Sequence, residues 1–257
     1  MSKRTSSHSE IGPAGCSAAF TLIELFVVIG IVGLLLGILL PSLMGARAAT
    51  RTAVCVVNVR QMAIALELYT EEENGRIFPV KEVVDAEGVL WWFGLEPVGG
   101  SRHEGERQLL RTRGRLWPYY RRTDTIEVCP SFAVSSRYYK PKFATNWTTY
   151  GLPLPLMSPH ESTRIDEVDR PDQTVAFVDS AQINAFQAPA SPTNPMFEQW
   201  YYVSRLEQTV HYVHAGRASA AMFDGHVRML DSEFGVNTFF PEAPVGRPPS
   251  DVILNVK

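Results

Sequence analysis

The chain has 257 residues, of which 45% are hydrophobic and 20% are charged, with 24 Lys and Arg against 27 Asp and Glu. This length and composition suit one medium domain with an appendage, and they exclude a disordered chain or a disulfide-dense miniprotein. The net charge of −3 argues against a protein that coats nucleic acid, and the mean hydropathy of −0.06 argues against a polytopic membrane protein.

One N-terminal segment, residues 20–40, concentrates the apolar residues and carries a single charge, Glu24. A helix of this length spans about 30 Å, the thickness of the hydrocarbon core of a bilayer. A secretory signal would be shorter and would be followed by a small-residue cleavage site, and a lipoprotein signal needs its cysteine after the apolar stretch, whereas Cys16 precedes it. The segment therefore predicts a single membrane span.

Glu24 and two glycines stand out within this segment. An ionisable side chain in a span costs roughly 2.5–3.5 kcal/mol on insertion scales, so Glu24 either snorkels to the boundary, is protonated, or has a function. Gly33 and Gly37 form a small-xxx-small face that permits close approach of another helix, although glycine is also common in membrane helices generally.

The stretch Ala19-Phe20-Thr21-Leu22-Ile23-Glu24-Leu25 resembles the processing site of type IV prepilins and of type II secretion pseudopilins. The resemblance implies that a prepilin peptidase removes the leader 1–19, cutting between Ala19 and Phe20, and N-methylates Phe20. The chain departs from the family pattern in having alanine, where glycine is usual, just before the cut. Lys3 and Arg4 would keep the leader cytoplasmic by the positive-inside rule.

The same resemblance assigns a role to Glu24 and to Pro41. Glu24 becomes an assembly charge, which meets the new Phe20 amine of a neighbouring subunit when the helices stack with an axial offset. In a low-dielectric setting this pairing is strong, and a missing partner is expensive. Pro41 lies where pilin helices commonly carry a kink. The fold implied is pilin-like.

The helix is predicted to continue beyond the span as an amphipathic half, residues 41–75. Apolar residues there recur at spacings of four and three and form one stripe: Cys55, Val59, Met62, Leu66 and Tyr69. Helix-breaking signals follow at Asn74-Gly75 and at Pro79. The expected element is thus a stalk with a membrane half, residues 20–40, and a half with one apolar side.

Residues 76–257 alternate strand-like runs with turns, which predicts an antiparallel sheet packed on the amphipathic half of the helix, an α+β fold. Strands are expected at residues 88–94, 125–128, 174–179, 218–223, 226–230 and 252–256, with a short helix at 104–113. The sequence has no Gly-rich phosphate loop, His-Glu-x-x-His or Gly-x-Ser-x-Gly, so no motif argues for an enzyme.

Segments of the amphipathic half and of the head also resemble a large bacterial group of prepilin-like proteins. They include the run Cys55–Gln61, the tripeptide Cys129-Pro130-Ser131, the segment Pro171–Asp179, and His214 followed after nine residues by Asp224-Gly225. The last of these is the H-x9-DG motif of that group's C-terminal region. The resemblance implies export and assembly in the manner of pilins.

Cys55 and Cys129 would remain after the leader is removed, in an oxidising compartment. A disulfide between them is one alternative, and two unpaired buried thiols are the other. Neither cysteine lies in a nucleophile signature, which disfavours a catalytic Cys/His pair.

The best candidates for metal ligands are His211, His214, Asp179, Asp224 and His226, because histidine and carboxylate suit zinc. However, Asp224-Gly225 between two apolar runs also predicts a hairpin near residues 214–230, since Asp-Gly supplies the positive φ values of a tight turn. We favour this structural role, in which His214 hydrogen-bonds to the turn, over a metal site; no cofactor is expected.

The sequence thus predicts a single-pass inner-membrane protein whose head is exported to the periplasm or cell surface. Its expected role is structural, as a subunit that assembles through its helix into a filament or secretion pseudopilus, and not enzymatic. Expected partners are the prepilin peptidase, other pilin-like subunits and their assembly machinery, and nucleic acid is not among them. The alternative is a membrane-anchored envelope binding module that does not polymerise; an anchored hydrolase is more distant.

Overall fold

The computed structural model describes residues 21–84, 86–120, 125–154, 163–233, 235–236 and 240–254. The predicted leader 1–19 and the predicted cleavage and methylation residues Ala19 and Phe20 lie outside the described residues. The chain divides into two compact units, residues 1–46 and residues 47–257.

The long N-terminal helix expected from the sequence is confirmed. Helix α1 spans Leu22–Glu72 and continues through Pro41, which has no N–H to donate to the Gly37 carbonyl. The helix terminates at the signal read from the sequence: Asn74 and Gly75 adopt positive φ values of 54° and 82°. The Gly75 N–H then donates to the Thr70 carbonyl at 2.7 Å, which caps the last turn.

The first part of α1 is apolar and unburied. Every residue from Thr21 to Thr50 is exposed, and the exposed fractions of Leu22 and Met44 reach 70% and 72%. This part of the helix is long and apolar enough to cross a membrane, as the sequence predicts.

The second part of α1 belongs to the unit of residues 47–257, which we call the head from here on. One side of this part of the helix is buried within the head. All five members of the predicted stripe, Cys55, Val59, Met62, Leu66 and Tyr69, are buried. The two charged residues between them, Arg60 and Glu67, stay exposed. The helical period of the apolar residues therefore identifies the packing face correctly.

The described part of the head contains twelve strands: β1 (Lys81–Val84), β2 (Gly88–Trp91), β3 (Gly94–Pro97), β4 (Tyr150–Pro153), β5 (Val175–Asp179), β6 (Ala181–Asn184), β7 (Met196–Gln199), β8 (Tyr202–Val203), β9 (Val210–His211), β10 (Arg217–Met222), β11 (Val227–Asp231) and β12 (Val245–Gly246). The largest sheet has the order β11-β10-β5-β4-β8, and β1, β2 and β3 form a three-stranded sheet. Two-stranded sheets pair β12 with β9 and β6 with β7. The fold is α+β, as predicted.

One strand pair departs from the expected antiparallel pattern. Strand β8 runs parallel to β4, with Leu152 opposite Tyr202, while the other pairs in the largest sheet are antiparallel. A parallel neighbour requires a long crossover, and the chain between β4 and β8 supplies one that contains β5, β6 and β7.

Several element predictions need correction. The run 88–94 is not one strand, because Trp92 and Phe93 form a turn between β2 and β3. Residues 125–128 form a turn, and the helix expected at 104–113 reduces to one 3-10 turn at Arg111–Arg113. Near the C-terminus, Ile253 makes a single bridge to Thr174, and residues 255–257 lie outside the described part.

Candidate metal centre

Four side chains that can each bind a metal meet inside the head: Cys55, Cys129, Asp179 and His214. One donor atom from each lies within 4.8 Å of the donor atoms of the other three. All four residues are buried, and the most accessible of them, His214, is 3% exposed. We refer to these four residues as the four-ligand cluster.

Four different parts of the fold supply the cluster. Cys55 belongs to the buried stripe of α1, and Asp179 is the last residue of β5. Cys129 follows the turn at residues 125–128, and its N–H donates to Thr149 Oγ1 at 2.6 Å, which fixes the loop. His214 precedes β10. The cluster therefore forms only when the helix, the loop and two strands have packed together.

Asp179 occupies the centre of the hydrogen-bond network. Its Oδ1 accepts from the Cys55 thiol at 3.2 Å, and its Oδ2 lies 3.3 Å from His214 Nε2. Oδ2 also accepts the Ser219 backbone N–H at 2.7 Å, which holds the carboxylate in place from β10. The Cys129 sulfur lies 3.4 Å from the same nitrogen of His214, so a thiol and a carboxylate both face Nε2.

Thr52 determines which nitrogen of His214 carries a proton in the neutral ring. The Thr52 hydroxyl donates to the Ala48 carbonyl at 3.1 Å, because a carbonyl can only accept. The Thr52 oxygen also lies 3.1 Å from His214 Nδ1. Because the single hydroxyl proton goes to Ala48, Nδ1–H is the donor in this contact. When Nε2 carries no proton, its lone pair points into the cluster, toward the Cys129 sulfur and the Asp179 carboxylate.

The charges of the cluster perturb its pKa values. Burial alone would lower the pKa of His214, but hydrogen bonds to Asp179 and Cys55 and the negative charge of Asp179 outweigh it and raise the pKa to about 10. Burial raises the pKa of the Cys55 thiol well above its usual value, and Cys129 and Asp179 raise it further. Without a metal, the site thus holds a protonated imidazole against a carboxylate.

The nine-residue spacing of the H-x9-DG motif corresponds to one strand with a turn at each end. His214 pairs with Arg217 across a two-residue turn in which Ala215 and Gly216 have φ values of 52° and 82°. Both central residues having positive φ defines a type I′ turn. Strand β10 follows, and Gly225, with φ of 83°, lies in the turn that leads to β11. The predicted hairpin is present, but the turn differs from the one expected, because, of the Asp224-Gly225 pair, only Gly225 has a positive φ.

The structure separates the metal candidates named from the sequence. Asp224 and His226 lie at the other end of β10 from His214 and bond to each other at 2.6 Å between Asp224 Oδ1 and His226 Nδ1. The expected hydrogen bond from His214 to the Asp224 turn is wrong, because the length of β10 intervenes. His211 lies on β9, outside the four-ligand cluster, and burial lowers its pKa to about 4.

Cys55 and Cys129 are both free and buried in the structure. The disulfide considered as one alternative is not formed, since the Cys55 sulfur bonds to Asp179 and to the Tyr150 hydroxyl at 3.3 Å, while the Cys129 sulfur faces His214. The structure thus has the other alternative, two unpaired buried thiols, although both sulfurs belong to the same four-ligand cluster.

Glu24 has a partner within its own chain. Its carboxylate accepts hydrogen bonds from the Thr21 N–H and Thr21 Oγ1, both at 2.8 Å, and the Glu24 N–H donates to Thr21 Oγ1 at 3.2 Å. This reciprocal pattern is a capping box at the start of α1. Its sequence signal, Thr-x-x-Glu before an apolar run, is present at residues 21–24.

No family model, curated protein or solved structure matches the chain, so these comparisons assign it neither a family nor a function.

Proposed function

We propose that the chain is a pilin-like or pseudopilin-like structural subunit, anchored in the inner membrane by α1 and assembled through that helix into a filament or a secretion pseudopilus. The observation that carries the proposal is the unburied apolar half of α1, residues 21–50, on a chain whose head is otherwise packed. So large an apolar surface requires lipid or other helices to cover it.

The surface of this half suits lateral packing as well as lipid. A Cβ atom added at Gly33 or Gly37 would meet nothing within 4 Å, so the small-residue face is open to a partner helix. Together with the prepilin-like motif at residues 19–25, this supports processing by a prepilin peptidase, export of the head, and assembly with other pilin-like subunits.

The capping box favours a second candidate, a membrane-anchored envelope module that does not polymerise. Thr21 satisfies the Glu24 carboxylate inside one chain, so the charge has a structural reason that needs no neighbouring subunit. The two candidates differ in whether the negative charge of Glu24, or only its hydrogen bonds, is required.

Glu24→Gln separates these roles, because a glutamine oxygen still accepts the Thr21 hydrogen bonds whereas the charge is gone. If Glu24 is an assembly charge, both Glu24→Gln and Glu24→Ala will reduce the protein in the sheared filament fraction at least about tenfold, each mutant remaining in the membrane, since about 1.4 kcal/mol already accounts for a factor of ten. The measurement is an immunoblot of sheared and membrane fractions, with Glu67→Gln as a control in the same helix.

Normal assembly of Glu24→Gln would show that only the hydrogen bonds of Glu24 are required, whereas absence of the wild-type protein from the sheared filament fraction would favour the non-polymerising anchor. Mass spectrometry of the mature N-terminus adds an independent check. We expect an N-methylated Phe20, and an intact Met1 on membrane-inserted protein would contradict the proposed processing.

A further inference from the structure

We propose that Cys55, Cys129, Asp179 and His214 form a structural Zn²⁺ site with two thiolates, one carboxylate oxygen and one imidazole nitrogen as ligands. The proposal concerns the head alone, since all four residues lie within residues 47–257. It is therefore independent of how the helix assembles.

The geometry of the cluster approaches that of a tetrahedral zinc site. Bonds of about 2.0–2.3 Å from zinc to oxygen, nitrogen and sulfur place neighbouring ligand atoms about 3.3–3.8 Å apart. Two separations that share His214 Nε2 are close to this range, 3.3 Å to Asp179 Oδ2 and 3.4 Å to Cys129 Sγ, and Cys55 Sγ lies 3.2 Å from the other carboxylate oxygen, Oδ1. Because the four donor atoms all lie within 4.8 Å of one another, a central ion needs only small side-chain shifts.

The residues around the cluster already orient the ligands as a metal requires. His214 donates Nδ1–H to Thr52, which leaves the Nε2 lone pair for the ion, and metal-binding histidines almost always anchor the second nitrogen in this way. The Ser219 N–H fixes the Asp179 carboxylate, and the Tyr150 hydroxyl contacts the Cys55 sulfur. Three of the four ligands thus have a supporting hydrogen bond of their own.

The donor set selects zinc over the hard cations. Two thiolates with an imidazole favour a borderline-soft ion, whereas calcium and magnesium prefer oxygen ligands alone. Binding displaces the thiol protons of Cys55 and Cys129 and the Nε2 proton of His214 to solvent, and the metal takes the place of these three protons. The bound site then carries a net charge of about −1, from three anionic ligands and one dication, the same as a zinc site built from three cysteines and one histidine.

A bound ion would join four separate parts of the head. The buried stripe of α1, the loop at Cys129, the end of β5 and the turn before β10 would share one central atom. Zinc would thereby hold the buried stripe of α1 against the largest sheet.

The test uses the full-length chain, purified in detergent under reducing conditions, depleted with a chelator and then titrated with Zn²⁺ against a chromophoric competitor. We expect one equivalent of Zn²⁺ to bind. Co²⁺ in the same protein should give sulfur-to-metal charge-transfer absorption and the intense visible bands of a four-coordinate ion. Failure of the folded, reduced wild-type protein to bind one equivalent would overturn the proposal.

Variants then locate the site. Cys129→Ser and His214→Ala should abolish stoichiometric binding, whereas His226→Ala, which alters a histidine outside the cluster, should bind like the wild type. Thr52→Val keeps all four ligands and removes only the support of His214, so we expect it to bind zinc about 10–100-fold more weakly while remaining folded. Equal loss in His226→Ala and His214→Ala would contradict the assignment.

The oxidation state of the native protein gives the last test. A Cys55–Cys129 disulfide would consume both sulfur ligands, and it would lower the intact mass by two hydrogens. We expect protein taken from the envelope under non-reducing conditions to retain both thiols, or both thiols with zinc. A disulfide in that protein would overturn the proposal.

Discussion

Lys140 is a buried cation held by two carboxylates. Its side chain is fully buried, and Nζ lies 2.7 Å from Glu104 Oε2 and 2.8 Å from Glu198 Oε2. Glu198 is itself almost fully buried and accepts a further hydrogen bond from Asn184 at 3.0 Å. Removing Lys140 is expensive, because the buried Glu198 carboxylate loses its ion-pair partner, whereas Glu104 keeps Arg107 at 3.1 Å.

We therefore expect Lys140→Met to lower the free energy of unfolding of the head by about 3–5 kcal/mol. Arg113→Ala is the matched control, since the Arg113–Glu87 pair is about half exposed on both sides and such pairs contribute at most about 1 kcal/mol. Urea denaturation followed by tryptophan fluorescence measures both variants. Equal losses in the two would show that burial does not govern these ion pairs.

The turn between His214 and β10 is an element whose sequence does not match its backbone. Ala215 adopts a φ of 52°, although the left-handed region costs a non-glycine residue roughly 1–2 kcal/mol. Gly216, with φ of 82°, is the residue type that such a turn favours, and a Cβ at Gly216 would meet nothing within 4 Å. Substitutions at these two positions therefore act through the backbone alone.

We expect Ala215→Asn to stabilise the head by about 0.5–1 kcal/mol, since asparagine tolerates the left-handed region and leads the Asn-Gly turn. Gly216→Ala should destabilise the head by about 1–2 kcal/mol, because alanine, unlike glycine, is strained at a positive φ. Urea denaturation midpoints of the two variants should move in opposite directions at an unchanged slope. A shift of the same sign in both would contradict the assignment of the turn.

The elements that can be predicted well from the sequence are those with a strong local pattern. The stripe from Cys55 to Tyr69 follows the helical period, and the β10–β11 hairpin surrounds an Asp-Gly turn. The prediction is wrong at residues 88–94, because Trp92 and Phe93 are buried residues in a turn and look like strand in a hydrophobicity pattern. The turn at Ala215-Gly216 escapes prediction since alanine carries no signal for positive φ.

The four-ligand cluster can be predicted only in part. Asp179 and His214 are metal candidates by residue type, but the cysteines suggest a disulfide or buried thiols, and the contacts join residues 85 and 124 positions apart. Tertiary packing creates such a site, so no spacing in the sequence reveals it. The residues next to each ligand predict only the turn or the strand end in which that ligand lies.

At the scale of the whole molecule, the boundary between the two units falls inside one continuous helix. The units divide between Ala46 and Arg47, yet α1 extends to Glu72. Burial changes along the helix accordingly, since every residue from 21 to 50 is exposed and the first fully buried side chain is that of Cys55. The exposed part of the helix is largely apolar on all sides, and the later part has one apolar stripe that packs in the head.

This distribution leads to an expectation for truncated chains. A protein of residues 47–257 lacks the apolar half but loses no buried residue of the described part, so we expect it to be soluble without detergent. Its melting temperature should remain within about 4 °C of the full chain's, because a shift of that size corresponds to about 1 kcal/mol or slightly more in a domain of this length. Circular dichroism of both proteins during heating measures the difference.

A second truncation, to residues 63–257, supplies the contrast. It removes Cys55, Val59 and Met62, all fully buried, and with them the α1 ligand of the proposed zinc site. Each lost core side chain costs roughly 1–5 kcal/mol, so together they approach or exceed the 5–15 kcal/mol that typically stabilise a domain. We expect this chain to aggregate or remain unfolded. Equal folding of both truncations would mean that the helix is attached to the head and does not belong to its core.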